Sequence, residues 1–269
     1  MTSESLFYRH TATVRVCHWI NVLSLTLLLM SGLQIFNFHP ALYWGHNGHA
    51  GMPPVLSISA DAERSTLQIG SIELGVSGVL GVNVESGNRT RFHAFPPLVT
   101  LPAERDLALG RDWHFLIAWL FAFNGIAYLS YGLASGHFRG KFVPDRQQLT
   151  ARHLWHELRE HVRFKRARGE AARSYNVLQK LTYAVVVFIL LPVMVLTGLT
   201  MSNAVTAWCP LLIDLFGGRQ SARTIHFFTA MALVLFVLVH VMQVFVAGFA
   251  NEMRSMITGR FKVPPEIDA

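Results

Sequence analysis

Charge is scarce in this chain. Only 14% of its 269 residues are Asp, Glu, Lys or Arg, while 52% are hydrophobic. The usual charged share is about a quarter, and here the apolar residues come in long blocks, so a polytopic membrane protein is expected. Cysteine is scarcer still. Cys17 and Cys209 stand far apart, so no disulfide framework follows, and there is no C-x-x-C-H motif for covalent cofactor attachment. A cleavage site is also missing: the first apolar stretch is too long for a signal-peptide core and no small-residue site follows it, so it reads as a retained helix. The formal net charge of +7 gives no argument for nucleic acid, because the basic residues gather beside the apolar runs.

Four runs are long enough to span a bilayer as helices, at about 16–38, 113–133, 178–201 and 222–248. The third contains Pro192, which a spanning helix tolerates with a kink. Residues 39–111 are different. GHNGHAGMPPV reads as loop, and STLQIGSIELGVSGVLGVNVESGNRTRF alternates β-branched patches with Gly, which predicts short strands. The fold class expected is therefore an all-α membrane protein: a four-helix transmembrane bundle with a small extramembrane cap between its first two helices. The whole chain, 1–269, reads as a single membrane domain, with 39–111 as a non-cytoplasmic insertion. The segment 135–174 is strongly basic and carries His153, His156 and His161 on what reads as a surface helix. By the positive-inside rule it is cytoplasmic, which places both termini on the cytoplasmic side.

Histidines single out the fourth run. His226 and His240 lie fourteen positions apart, which returns a helix to within roughly 40° of one face and separates the rings by roughly 21 Å along its axis. An ionisable side chain inside a spanning helix is costly and is a functional-site hypothesis by default. The topology supplies partners: His114, at the start of the second run, falls at the level of His226, and His18, at the start of the first, at the level of His240. Two imidazole pairs at two depths are what two stacked bis-histidine haems require, and helix bundles hold such cofactors between facing helices. Arg15, Arg111 and Arg223 each precede one of these histidines by three residues and share its helix face, which suits anionic haem propionates. A weak internal repeat points the same way. RDWHFLIAW matches RTIHFFTAM, and LLLMSGLQI resembles VMVLTGLTM, so two related hairpins are expected. His39, His46, His49 and His93 of the cap read as solvated loop residues rather than as a metal site. A metal-ion transporter would need acidic residues among the imidazoles, and the four runs have none. A bare structural anchor leaves His240 unexplained.

The H-x13-H of His226 and His240, the R-x-x-C-H-W at Arg15 to Trp19, His114, and SYNVLQKLTY at Ser174 to Tyr183 resemble the bacterial cytochrome b561 and nickel-iron hydrogenase cytochrome b family. That family includes the membrane subunits of formate dehydrogenase and thiosulfate reductase. The resemblance covers the four spans but not the long cap. It implies a quinone-linked cytochrome of the bacterial inner membrane with two haem b, and it implies electron transfer between quinone and a periplasmic molybdenum or hydrogenase subunit. Some members instead act alone as superoxide:quinone oxidoreductases. It also implies a quinone pocket at Asn176, with Tyr175, Gln179 and Lys180 as weaker candidates. The alternative for Asn176 is a helix cap.

Overall fold

The computed structural model describes residues 6–49, 51–61, 64–86, 89–145, 147–162 and 174–263. Strand β1 (Leu6–Tyr8) leads into helix α1 (Ala12–Phe36). Six short strands follow: β2 (Ala41–Leu42), β3 (Leu56–Ala60), β4 (Ser65–Ile69), β5 (Ile72–Gly75), β6 (Val82–Ser86) and β7 (Arg89–His93). Helix α2 (Leu107–Ala134), the short α3 (His137–Lys141) and the amphipathic α4 (Ala151–Val162) come next. Then come α5 (Val177–Met201), the short α6 (Asn203–Trp208) and α7 (Leu211–Leu215), α8 (Arg219–Thr258), and strand β8 (Arg260–Lys262).

Helices α1, α2, α5 and α8 are each long and apolar enough to cross a membrane. The expected runs lie within these helices apart from Asn37 and Phe38, which turn out of α1. Two helices depart from regular geometry for visible reasons. Residues Val186–Leu190 of α5 form a π-helical turn just ahead of Pro192, which has no N–H to offer the ladder. Helix α8 breaks at Gly248 (φ 113°, ψ 86°), a conformation that suits glycine, and then continues for ten more residues.

The chain divides into two compact units, and neither is simply the cap or the bundle. One comprises residues 21–122 and 193–230, that is, the cap with the adjoining parts of all four spanning helices. Its strands form an antiparallel sheet in the order β2-β3-β4-β5, with Leu56 opposite Ile69 and Ile58 opposite Leu67, and a separate β6–β7 hairpin. Phe36, Leu42, Leu56, Ile58 and Ala94 make its buried core, and Phe36 stacks on Phe227 of α8 at 4.8 Å. Polar clasps fix the cap to the helices. Asn37, fully buried, donates to Gln34 and Phe95 and accepts from the Phe95 N–H at 2.7 Å. Thr224 donates to the Tyr43 carbonyl at 2.7 Å, and the Gly45 N–H donates to Ser221. Gly218 passes so close to the Gly45 backbone that a Cβ there would sit 2.3 Å from its carbonyl oxygen.

The other unit comprises residues 1–20, 123–192 and 231–269. Here β1 and β8 pair antiparallel, Phe7 opposite Phe261, and so tie the two ends of the described chain together. Arg9 reinforces the clasp with an ion pair to Glu252 at 3.2 Å and a stack on Phe261. Helix α4 is the surface helix expected for His153 and His156; the side chain of His161 and the basic stretch 163–173 lie outside the described residues.

Candidate functional site

The cap-bearing unit brings His114 of α2 and His226 of α8 together, with ring centroids 6.3 Å apart and planes inclined at 64°. Each ring is gripped from a neighbouring helix. Ser31 Oγ of α1 lies 3.0 Å from His114 Nδ1, and Thr197 Oγ1 of α5 lies 2.9 Å from His226 Nδ1. Each hydroxyl also donates to the carbonyl four residues back in its own helix, Leu27 at 2.7 Å and Val193 at 2.6 Å. A hydroxyl has one proton. With that proton on the carbonyl, the hydroxyl oxygen accepts from the ring, so Nδ1 carries the hydrogen and Nε2 keeps a lone pair. The following residue is glycine in both helices. A Cβ at Gly32 would stand 3.4 Å from His114 Cε1, and one at Gly198 3.5 Å from His226 Cε1.

The terminus-bearing unit brings together His18 of α1 and His240 of α8, again with centroids 6.3 Å apart. The surroundings are aromatic. Trp19 stands edge-on to His18 at 5.3 Å, while Phe236 stacks on His240 at 5.7 Å and Tyr183 meets it edge-on at 6.4 Å. His18 Nδ1 is buried and has no hydrogen-bond partner among the described residues.

The shared separation has a simple meaning. An imidazole–metal bond is about 2.0–2.1 Å and a ring nitrogen sits about 1.1 Å from the ring centre, so two imidazoles on opposite sides of one metal have centroids roughly 6.3 Å apart. Both pairs fit a metal held between them. No group of three or more His, Cys, Asp and Glu able to hold a metal occurs among the described residues. Two protein ligands suffice where the remaining positions come from a macrocycle, as in haem.

Residues 9–259 match the sequence pattern of prokaryotic cytochrome b561. The chain belongs to the prokaryotic cytochrome b561 family. A curated relative from Azospira oryzae, named "Putative protein-methionine-sulfoxide reductase subunit YedZ1", is 28% identical over 244 residues, which cover 90% of this chain and 92% of that one. No solved structure matches. This b561-family chain is thus a multi-pass membrane protein of the haem b electron-transfer class.

The remaining expected residues of this cytochrome b561 chain separate by what they touch. Arg15 donates to the Ile257 carbonyl and Trp19 Nε1 to the Met256 carbonyl at 3.1 Å, so both cover the free carbonyls ending α8. Arg223 donates to the carbonyls of Ala41 and His39 and stacks on Phe36, so it clamps the cap. Arg111 is exposed and rests on Phe115, with its guanidinium edge turned to no acidic group among the described residues. The i,i+3 spacing identified three arginines on suitable faces, but two of the guanidinium groups already hold backbone carbonyls.

Asn176 caps α5. Its Oδ1 accepts from the Gln179 N–H at 2.8 Å, and the Gln179 side chain accepts from the Asn176 N–H at 3.2 Å, a reciprocal capping box. The cap orients the amide, because it consumes the oxygen and leaves Nδ2 as the group able to donate elsewhere. Capping and ligand donation are therefore compatible here. Lys180 donates to Gln148 at 3.1 Å. Tyr175 lies under Arg9 and near the Lys141 ammonium, and its ring meets Tyr183 at 5.4 Å. Burial raises the Tyr175 phenol above its usual range, and Arg9 opposes this. His39, His46 and His49 are exposed, but His93 is not a solvated loop residue: it lies on β7 and is buried, and among the described residues no group of three or more metal-binding side chains forms around any of the four.

Ser31 and Thr197 are the site residues that residue-by-residue reading passed over. The signal was present in the internal repeat, where M-S-G-L of α1 aligns with L-T-G-L of α5.

Proposed function

We propose that this chain is a dihaem b-type cytochrome that carries electrons across the bilayer between quinone and a redox subunit on the cap side. His18 and His240 would hold one haem through their imidazoles, and His114 and His226 would hold the other. The observation that carries this reading is the equal 6.3 Å separation of the two imidazole pairs. Bound haem supplies a one-electron carrier at each level. The chain places the rings, keeps Nε2 unprotonated at His114 and His226, and encloses the His18/His240 pair in aromatic side chains. Arg111, with its open guanidinium edge, is the strongest of the three arginines as a propionate partner.

Quinone binds at the end of α5 that carries Asn176. Asn176 Nδ2 donates to a quinone carbonyl. Tyr175 and Tyr183 form a contact chain from this end to His240. Gln179 holds the Asn176 amide, while Lys180 ties α5 to the loop at Gln148. This end faces the cytoplasm of the bacterial inner membrane, as the basic segment 135–174 argues. The electron partner on the other side docks on the cap. The reductase-subunit name of the Azospira oryzae relative supports a catalytic subunit there rather than a chain that acts alone on superoxide.

The function is tested with dithionite-reduced protein in lipid nanodiscs mixed with a soluble quinone analogue. Rapid, saturable oxidation followed in the haem absorption bands is the expected result. Oxidation no faster than in a quinone-free control would contradict quinone linkage.

A further inference from the structure

The four-residue stretches M-S-G-L in α1 and L-T-G-L in α5 present the same device twice. Ser31 and Thr197 are both fully buried, at 0% exposure, so each polar atom needs a partner inside the protein. Each oxygen meets both needs at once, as donor to the carbonyl four residues back and as neighbour of an imidazole Nδ1. Back-bonding to the helix fixes the rotamer of the hydroxyl. The oxygen is thereby a fixed acceptor aimed at one ring, beside the backbone carbonyl of Leu28 at His114 or of Met194 at His226, which shares the same ring N–H. At Gly32 and Gly198 the ring edge lies close against the helix, at a distance where an added Cβ would be in ordinary contact with it. Two independent helices reach the same arrangement with different hydroxyl residues. Among the described residues no hydroxyl holds the His18/His240 pair in this way: Trp19, Phe236 and Tyr183 pack against it.

We propose that Ser31 and Thr197 are positioning residues that tune one haem and not the other. The inference rests on the ligation proposed above. An acceptor on Nδ1–H orients a ligating imidazole and raises its basicity, which favours the oxidised metal. Second-shell hydrogen bonding is one of the levers that set the potential of a haem. The haem at His114/His226 is therefore held at a lower potential than it would have without the hydroxyls, and its partner level is untouched by them.

The test uses the full-length protein in detergent or nanodiscs, with variants Ser31→Ala, Thr197→Val and the double variant, and Thr197→Ser as the conservative control. Redox potentiometry followed optically, with low-temperature electron paramagnetic resonance of the oxidised protein, reads each haem separately. In the double variant, one component is expected to shift its midpoint upward and change its low-spin signal while the other stays in place. Thr197→Ser is expected to match the wild type. Selective loss of one haem in the double variant, with retention by Thr197→Ser, also supports the role. Unchanged potentials and signals, or equal shifts of both components, would overturn it. Failure of the underlying ligation shows separately: a wild type without two low-spin components, or a His114→Ala variant that keeps both, removes the haem assignment itself.

Discussion

The two histidine pairs have the same separation and opposite surroundings. His114 and His226 are held at Nδ1 by hydroxyls from two other helices. His18 and His240 are packed by aromatic rings, and His18 Nδ1 has no partner among the described residues. Ring spacing is therefore set by the helix framework, since it survives a complete change of neighbours. Ring orientation is set locally. One pair is surrounded by fixed dipoles, and the other by apolar contact beside a cluster of titratable groups: Arg9, Tyr175, Lys141 and Glu252.

Removal of one histidine of a pair has the largest expected effect. His226→Ala is expected to lose one of two haems and leave the other with its wild-type spectrum. His240→Ala is expected to do the reverse. Haem per chain should fall from about two to about one in each, counted by pyridine haemochrome; retention of both in either variant contradicts the pairing. The next effect isolates the aromatic end. Asn176→Asp keeps the acceptor that caps α5 but removes the amide donor. Quinone-driven oxidation is expected to slow roughly tenfold, the worth of one hydrogen bond of about 1.4 kcal/mol, with the spectrum unchanged. Asn176→Ala should slow it as much and also cost about 1 kcal/mol of helix stability. An Asp variant with the wild-type rate would reduce Asn176 to a cap.

Smaller effects probe the anchors of each end. Arg223→Gln removes charge-assisted bonds to two cap carbonyls, for a loss of about 2 kcal/mol. Faster limited proteolysis within the cap is expected, with the His18/His240 haem unaffected. At the other end, His10 is buried and its pKa is lowered from 6.5 to about 3, chiefly by desolvation and then by Arg9 and Lys141. The folded clasp keeps His10 neutral where the unfolded chain protonates it. Below about pH 6.5 the unfolded form binds the extra proton, so stability falls as pH falls towards 3. His10 accounts for roughly 2 kcal/mol of that loss at pH 5. His10→Gln should flatten the acid limb, measured as thermal midpoint against pH; an identical limb in the variant contradicts this.

The spans were legible because an uninterrupted apolar run of that length has few other uses. The cap strands β4 to β7 were legible from Gly punctuation between β-branched patches. The β1–β8 clasp was not, since three-residue strands at opposite chain ends leave no periodicity to read. The continuation of α8 to Thr258 was hidden by Gly248, which looks like a helix end and is in fact a break. Among site residues, the histidines stood out because imidazole is rare in an apolar helix. Ser31 and Thr197 did not, because a buried hydroxyl in such a helix can satisfy itself on its own backbone. Arg15 and Arg223 had the expected spacing, but the sequence held no sign that backbone carbonyls would occupy them.

Both histidine pairs are proposed to hold haem. The most direct measurement is haem per chain in the purified protein, by pyridine haemochrome, with a reduced-minus-oxidised spectrum. The account predicts about two low-spin b haems per chain. A value near one would mean that one of the two pairs does not ligate, and that equal ring spacing is no evidence of equal use.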